Sequence, residues 1–248
     1  MVTVSDISSG ATVGGAVSAR GLLTQDEQGS WLIPVVSLSP ETRLPMEEAR
    51  IRLHASSDLD GWVNEYVEAR GMWVSERLVA VWDITPITEE AAVLEPPPSL
   101  GTQPLLVMPS AAGGEEIDLS LVRSVAGGLV EKEAALHFVV VNDAVHFAVV
   151  VAATDVARVE DELRPLLGIH LVVVHSQNTP AMLRLAHKML ADEERDDNLL
   201  LQGEAMSPNG DYRVVGIVKH GTPAVIAAPA SALELRAWIH PYESKEIS

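Results

Sequence analysis

The sequence predicts a mixed α+β chain in which a small antiparallel β-barrel is followed by an α/β unit built on a mixed sheet. Three observations carry this reading. Side chains alternate between apolar and polar with a period of two up to about residue 95, helical periodicity begins only after about residue 116, and a proline- and glycine-rich stretch lies between them. The division places a barrel domain at 1–94, a linker at 95–115 and an α/β domain at 116–248.

The elements follow in order. Residues 16–37 alternate around Asp26, Gln28 and Gly29, which supply turn chemistry, so two strands meet there in a hairpin. A short strand at 50–53 is broken by 56–61. Residues 67–70 and 72–84 flank Gly71. The second run is apolar on both parities, with Trp73, Val79 and Val81 on one and Val74, Leu78, Trp82 and Ile84 on the other, as in a strand buried on both faces.

The run from Trp62 through Tyr66, Arg70, Gly71 and Trp73 to Trp82 resembles the middle of an oligonucleotide/oligosaccharide-binding (OB) fold, where a strand ends at a glycine and re-enters the barrel. The resemblance spans residues 16–86. It implies that exposed rings among Trp31, Trp62, Tyr66, Trp73 and Trp82 stack on bases or sugars, with Arg50, Arg52, Arg70 and Arg77 near phosphates. Packing of the barrel interior accounts for the same rings.

Beyond the linker, Leu121, Val122, Val125 and Leu129 share one helical face behind the cap Asp118. Residues 136–141 and 144–153 form apolar strands joined at Asn142-Asp143. A helix begins at Thr154 or Asp155 and stops near Gly168, residues 169–174 return as a strand, and Thr179-Pro180 opens another helix with Met182, Leu183, Ala186 and Leu190 on its apolar face. The order is α-β-β-α-β-α. The tail adds strands at 199–206 and 212–219 around Pro208-Asn209-Gly210, and another at 224–228. Ser231 and Glu234 read as the capping box of a short helix, although 233–239 also alternates as a strand. The only internal likeness is between the hairpins at 16–37 and 199–219.

Composition excludes several chemistries. Without cysteine there are no disulfides, thiolate metal sites or cysteine nucleophiles. The eight histidines lack the paired spacing of a metal centre, and no cofactor motif is present, so neither metal nor cofactor is expected. Thirty-five acids against 17 bases, a net charge of -18, disfavour a nucleic-acid partner. The apolar runs are too short to span a bilayer and no basic leader opens the chain, which predicts a cytoplasmic protein without membrane contact.

Two sets of candidate site residues emerge. The loop His175-Ser176-Gln177-Asn178-Thr179 joins a buried strand to a helix, where α/β sheets place ligands. Ser176, Asn178 and Thr179 are its ligand-binding candidates, and plain helix capping explains the same residues. A hydrolase reading takes Ser176 as nucleophile, a histidine among His146, His175 and His220, and Asp143 or Asp155 as the orienting acid. On the barrel the candidates are Trp62, Trp73 and Arg70. The acids from Asp192 to Asp197 oppose a helix dipole and read as a solvated terminus. The leading expectation is a non-catalytic binding or adaptor protein acting through contacts with another protein or with itself. The alternatives are single-strand nucleic-acid binding through the barrel, and a small hydrolase at the 175–179 loop.

Overall fold

A computed structural model of the chain describes residues 11, 13–39, 42–56, 58–75, 77–95, 117–142, 147–206, 212–222 and 232–242. The fold is mixed α+β, with parallel and antiparallel pairings in several sheets. The linker from residue 96, Asp143, His146, the Pro208-Asn209-Gly210 turn, the strand expected at 224–228 and Ser231 lie outside the described residues.

The N-terminal half contains β1 (Ala16–Asp26), β2 (Gly29–Ile33), β3 (Val35–Ser39), β4 (Thr42–Pro45), β5 (Ile51–Ala55), β6 (Tyr66–Ser75), β7 (Leu78–Pro86), α1 (Glu89–Ala92) and β8 (Val93–Leu94). Five of these strands pair in sequence: β1 with β2, β2 with β5, β5 in parallel with β7, β7 with β6, and β6 back to β1. Alternate residues of these strands, including Val17, Leu23, Leu32, Ile51, Leu53, Val67, Trp73 and Val79, meet in one buried cluster. β3, β4 and β8 form a small separate sheet.

The expected single strand over 72–84 is instead a hairpin. Gly71 lies inside β6, opposite Val81, and the chain reverses after Ser75 so that Trp73 faces Val79. The alternation continues through this turn because Glu76-Arg77 carries no glycine, proline or asparagine to break it. Register irregularities at Arg70/Gly71 and Trp73/Ser75 let β6 bend.

The C-terminal half runs α2 (Leu119–Glu131), β9 (Ala135–Asn142), β10 (Phe147–Ala153), α3 (Val156–Leu167), β11 (Leu171–His175), α4 (Pro180–Arg195), β12 (Leu199–Met206), β13 (Tyr212–Val218), β14 (Leu233–Ala237) and β15 (His240–Pro241). The three long helices start at the expected caps. Asp118 accepts from the Ser120 and Leu121 amides, Asp155 from Arg158, and Thr179 from Met182 ahead of Pro180. The residues expected as a short helix at 233–239 form β14, whose Leu233, Leu235 and Ala237 alternate inward. Burial of one face outweighs the capping pattern there.

The structure also shows a repeat that the sequence hides. In each unit a helix is followed by an antiparallel hairpin and a third strand that returns parallel to the second, as β9–β10–β11 after α2 and as β12–β13–β14 after α4. Both helices end alike. The amides of Glu133 and Ala134 bond to Val130 and Leu129, and those of Asp197 and Asn198 to Glu194 and Glu193, with Glu133 and Asp197 both at φ 58. The third strands are also followed by matching bonds, Ser176 to Ala153 and Trp238 to Val218.

These units stack. α2 and α3 cover the Val149, Val151 and Ala153 face of β10, while Ala148, Val150 and Ala152 share a cluster with Leu183, Ala186 and Leu190 of α4 and with Val214 and Val218 of β13. Ile217, on the far face of β13, joins Leu200, Trp238 and Ile239 in the cluster of the N-terminal sheet. β15 then pairs with β1, His240 opposite Ser18. One apolar core therefore crosses the line drawn between the two halves.

Candidate functional site

The 175–179 loop is occupied by structural bonds. Ser176 is 3 % exposed, its amide donates to Ala153, and its hydroxyl accepts from the Asn178 amide at 3.3 Å. Asn178, 1 % exposed, donates from its side chain to the Tyr212 carbonyl at 2.7 Å, which fastens the loop to β13. Thr179 and Asp155 cap their helices, and His175 is exposed at the end of β11. Among the described residues no histidine or carboxylate bonds to Ser176, and His146 and Asp143 of the hydrolase set lie outside them.

Trp62, Trp73 and Arg70 do not converge. Trp73 is buried in the core, donates its indole N–H to the Ser75 carbonyl and meets the His220 ring edge-on at 4.6 Å. Trp62 sits half-buried on the 3-10 turn Asp60–Trp62 and packs against the same core. Arg70 bridges Glu68 at 2.6 Å and Asp83 at 3.2 Å, with Tyr242 below its guanidinium.

Burial pushes the Glu68 carboxyl up, but the Arg70 hydrogen bond and the Arg20 charge outweigh it and hold Glu68 below its ordinary 4.5. A carboxyl depressed in the folded state stabilises the fold above its unfolded value, and that contribution disappears as pH falls through the folded value. Glu68→Gln is therefore expected to cost about 1–3 kcal/mol near neutrality. The gap from wild type should close below the ordinary 4.5, as followed by urea unfolding at stepped pH. A gap independent of pH would refute the ion-pair account.

A second polar cluster ties the repeats together. The Tyr212 hydroxyl donates to Glu204, whose other oxygen bonds His187 at 2.9 Å, and the His137 ring stacks on Tyr212 at 4.8 Å. Burial pushes His137 below its ordinary value, and burial with the Glu204 bond pushes Tyr212 well above its own. These contacts join β9, α4, β12 and β13.

A cleft lies on the outside of β2 and β5. It encloses about 630 Å³ between the β1–β2 turn (Gln28), β2 (Trp31), the turn Glu47–Ala49, Arg50 and Arg52 before and in β5, and Ser75, Arg77 and Leu78 at the β6–β7 turn. A hollow of about 250 Å³ continues it past Arg52 toward His54, Asp58 and Asp60. Strand alternation explains the convergence. Ile51 points into the core, so Arg50 and Arg52 flank it outward, and Arg52 stands opposite Trp31 across the ladder.

The cleft is electrostatically ordered. Trp31 donates its N–H to Asp26 at 2.8 Å, Arg50 lies over the indole at 4.0 Å and bonds Asp26 at 3.1 Å. The Trp31 bond, helped by the Gln28 amide and Arg50, holds Asp26 below the usual carboxylate range. At the far rim Arg77 pairs with Asp197 at 3.0 Å, and Asp197 with Lys219 at 2.9 Å. Trp31, Arg50, Arg52 and Arg77 were legible individually as an aromatic and basic set. Their meeting point depends on the β2–β5 pairing, which joins residues some twenty positions apart.

Among the described residues no three His, Asp or Glu side chains are grouped to hold a metal, and no helix is long and apolar enough to cross a membrane. No protein-family model, curated protein or solved structure matches the chain.

Proposed function

We propose that the chain is a non-catalytic binding protein acting through protein–protein contacts, and that it holds its partner in the cleft over β2 and β5. The observation that carries this reading is the convergence of Trp31, Arg50, Arg52 and Arg77 from separate segments on one open groove. The strand pairings support it. Taking β1, β2, β5, β6 and β7 as strands one to five, the order is 1-2-3-5-4 with a return to 1, which is the order an OB-like barrel would require. In that fold the face of strands two and three, with the first and last hairpin turns, receives ligands. On this reading the cleft over β2 and β5 is the ligand face.

Charge favours a protein partner over a nucleic acid. Glu47 and Glu48 stand in the cleft, Asp58 and Asp60 in its extension, and the whole chain carries -18. A run of phosphates would meet carboxylates on both sides. A polypeptide of mixed character meets a tryptophan, arginines and acids that match it.

Affinity isolation from the host's own cells tests the reading. Trp31→Ala, whose side chain lies on the surface of β2, is expected to keep its fold and to lose the companions that the wild type retains by about tenfold. Equal recovery by the two proteins would overturn the cleft as the partner site. Binding of an oligothymidylate of about fifteen nucleotides at low salt, with a steep salt dependence, would replace the protein reading by the nucleic-acid one.

A further inference from the structure

Arg52 is the cleft arginine without a carboxylate partner among the described residues. Its neighbours Arg50 and Arg77 each pair with a carboxylate, Asp26 at 3.1 Å and Asp197 at 3.0 Å. Arg52 is exposed, lines both the cleft and its extension, and forms no side-chain hydrogen bond or ion pair among the described residues. In a chain with 35 acids and 17 bases, an arginine without a carboxylate beside four acids of the same groove is not explained by a shortage of partners.

The backbone of Arg52 is anchored, and its side chain lies against the β1–β2 turn. The Arg52 amide donates to the Arg77 carbonyl at 2.8 Å, which fixes the residue between β2 and β7. Its Nε and Nη2 lie 3.2 and 3.3 Å from where a Cβ on residue 29 would sit, and Gly29 is at φ 133. Glycine accepts that backbone without strain and leaves room for the guanidinium against the turn. The result is a forked donor on the lining of an open groove, of the kind that binds carboxylates bidentately.

We infer that the partner segment seated in the cleft is a peptide presenting one carboxylate side chain among uncharged residues, and that Arg52 receives that carboxylate. This deepens the binding reading above and rests on it. A single unmatched cation neutralises a single negative charge. A second carboxylate or a row of phosphates would approach Glu47 and Glu48 on one side or Asp58 and Asp60 on the other.

The test is a titration of the full chain with a capped glycine–serine peptide carrying one central glutamate, followed by the NMR signals of the Trp31 indole N–H and the Arg52 Nε–H. The same peptide with glutamine in place of glutamate is the control, and a short oligothymidylate is run in parallel. The glutamate peptide is expected to move both signals with an affinity about tenfold above that of the control. Arg52→Gln, at an exposed position, is expected to erase that difference while leaving the rest of the spectrum unchanged, and Arg52→Lys to restore part of it.

Equal affinities of the two peptides at Trp31 would overturn the carboxylate inference and leave the cleft standing as a peptide site. Tighter binding of the oligothymidylate at the same signals would overturn the inference and the protein reading together. So would the absence of any shift at Trp31 and Arg52 with every probe.

Discussion

Trp238→Ala is expected to lower the stability of the whole chain by about 3–5 kcal/mol, the cost of deleting a large aromatic from a filled core. Trp238 is 1 % exposed and belongs to the same buried cluster as Leu23, Leu32, Trp73, Leu200 and Ile217. Its indole N–H donates to the Arg20 carbonyl at 2.6 Å, so truncation also strips a bond from β1. The residue sits at the seam, following β14 of the second repeat and plugging the N-terminal sheet. For a chain of this size each kcal/mol moves the melting midpoint by roughly 2–4 °C, so a fall of about 10 °C is expected in calorimetry. Probes in both halves should lose structure in one transition. A shift of less than about 2 °C, or loss confined to one half, would show that the halves do not depend on this core.

Gly71→Ala is the second large effect. A Cβ at this position would lie 2.5 Å from the Ala80 carbonyl oxygen and 2.6 Å from a Val79 methyl, closer than any real side chain approaches. The obstacle is the backbone of the paired strand, so relief requires β6 and β7 to separate where β6 bends. The expected cost is about 3 kcal/mol or more, read as a lower urea midpoint or as failure to accumulate folded protein. Gly128→Ala in α2, where nothing lies within 4 Å, is the control and is expected to stabilise the chain by about 0.5–1 kcal/mol. Equal effects from the two substitutions would mean that the close approach of β6 to β7 is not a constraint.

The helices of the C-terminal half were legible because their signals are local. Asp118, Asp155 and Thr179 each accept the amides that a helix start leaves open, within three residues of themselves. The β6–β7 hairpin was hidden because its turn carries charged residues instead of the usual turn formers. β14 was obscured because Ser231 and Glu234 imitate a capping box, while the burial of Leu233, Leu235 and Ala237 depends on β13 and α4. The repeat has no sequence signature for a related reason. What the two units share is their pairing and the hydrogen bonds at Glu133 and Asp197, which different side chains satisfy equally well.

The candidate site divided along the same lines. The 175–179 loop stood out because polar residues at a strand-to-helix junction are conspicuous in sequence, yet Ser176 and Asn178 spend their bonds on holding β11, α4 and β13 together. Trp73 was conspicuous as an aromatic, and its burial follows from the parity of β6. The cleft residues Trp31 and Arg52 became neighbours only through the β2–β5 ladder, a long-range contact that no local pattern announces.

Hydrogen–deuterium exchange on the full chain, with and without the partner recovered from host cells, tests the central claim most directly. Slowed exchange is predicted at residues 28–31, 47–52 and 77–78, around the cleft, with the 175–179 loop unchanged. Slowed exchange at the loop or along α2, with the cleft amides exchanging as before, would contradict it.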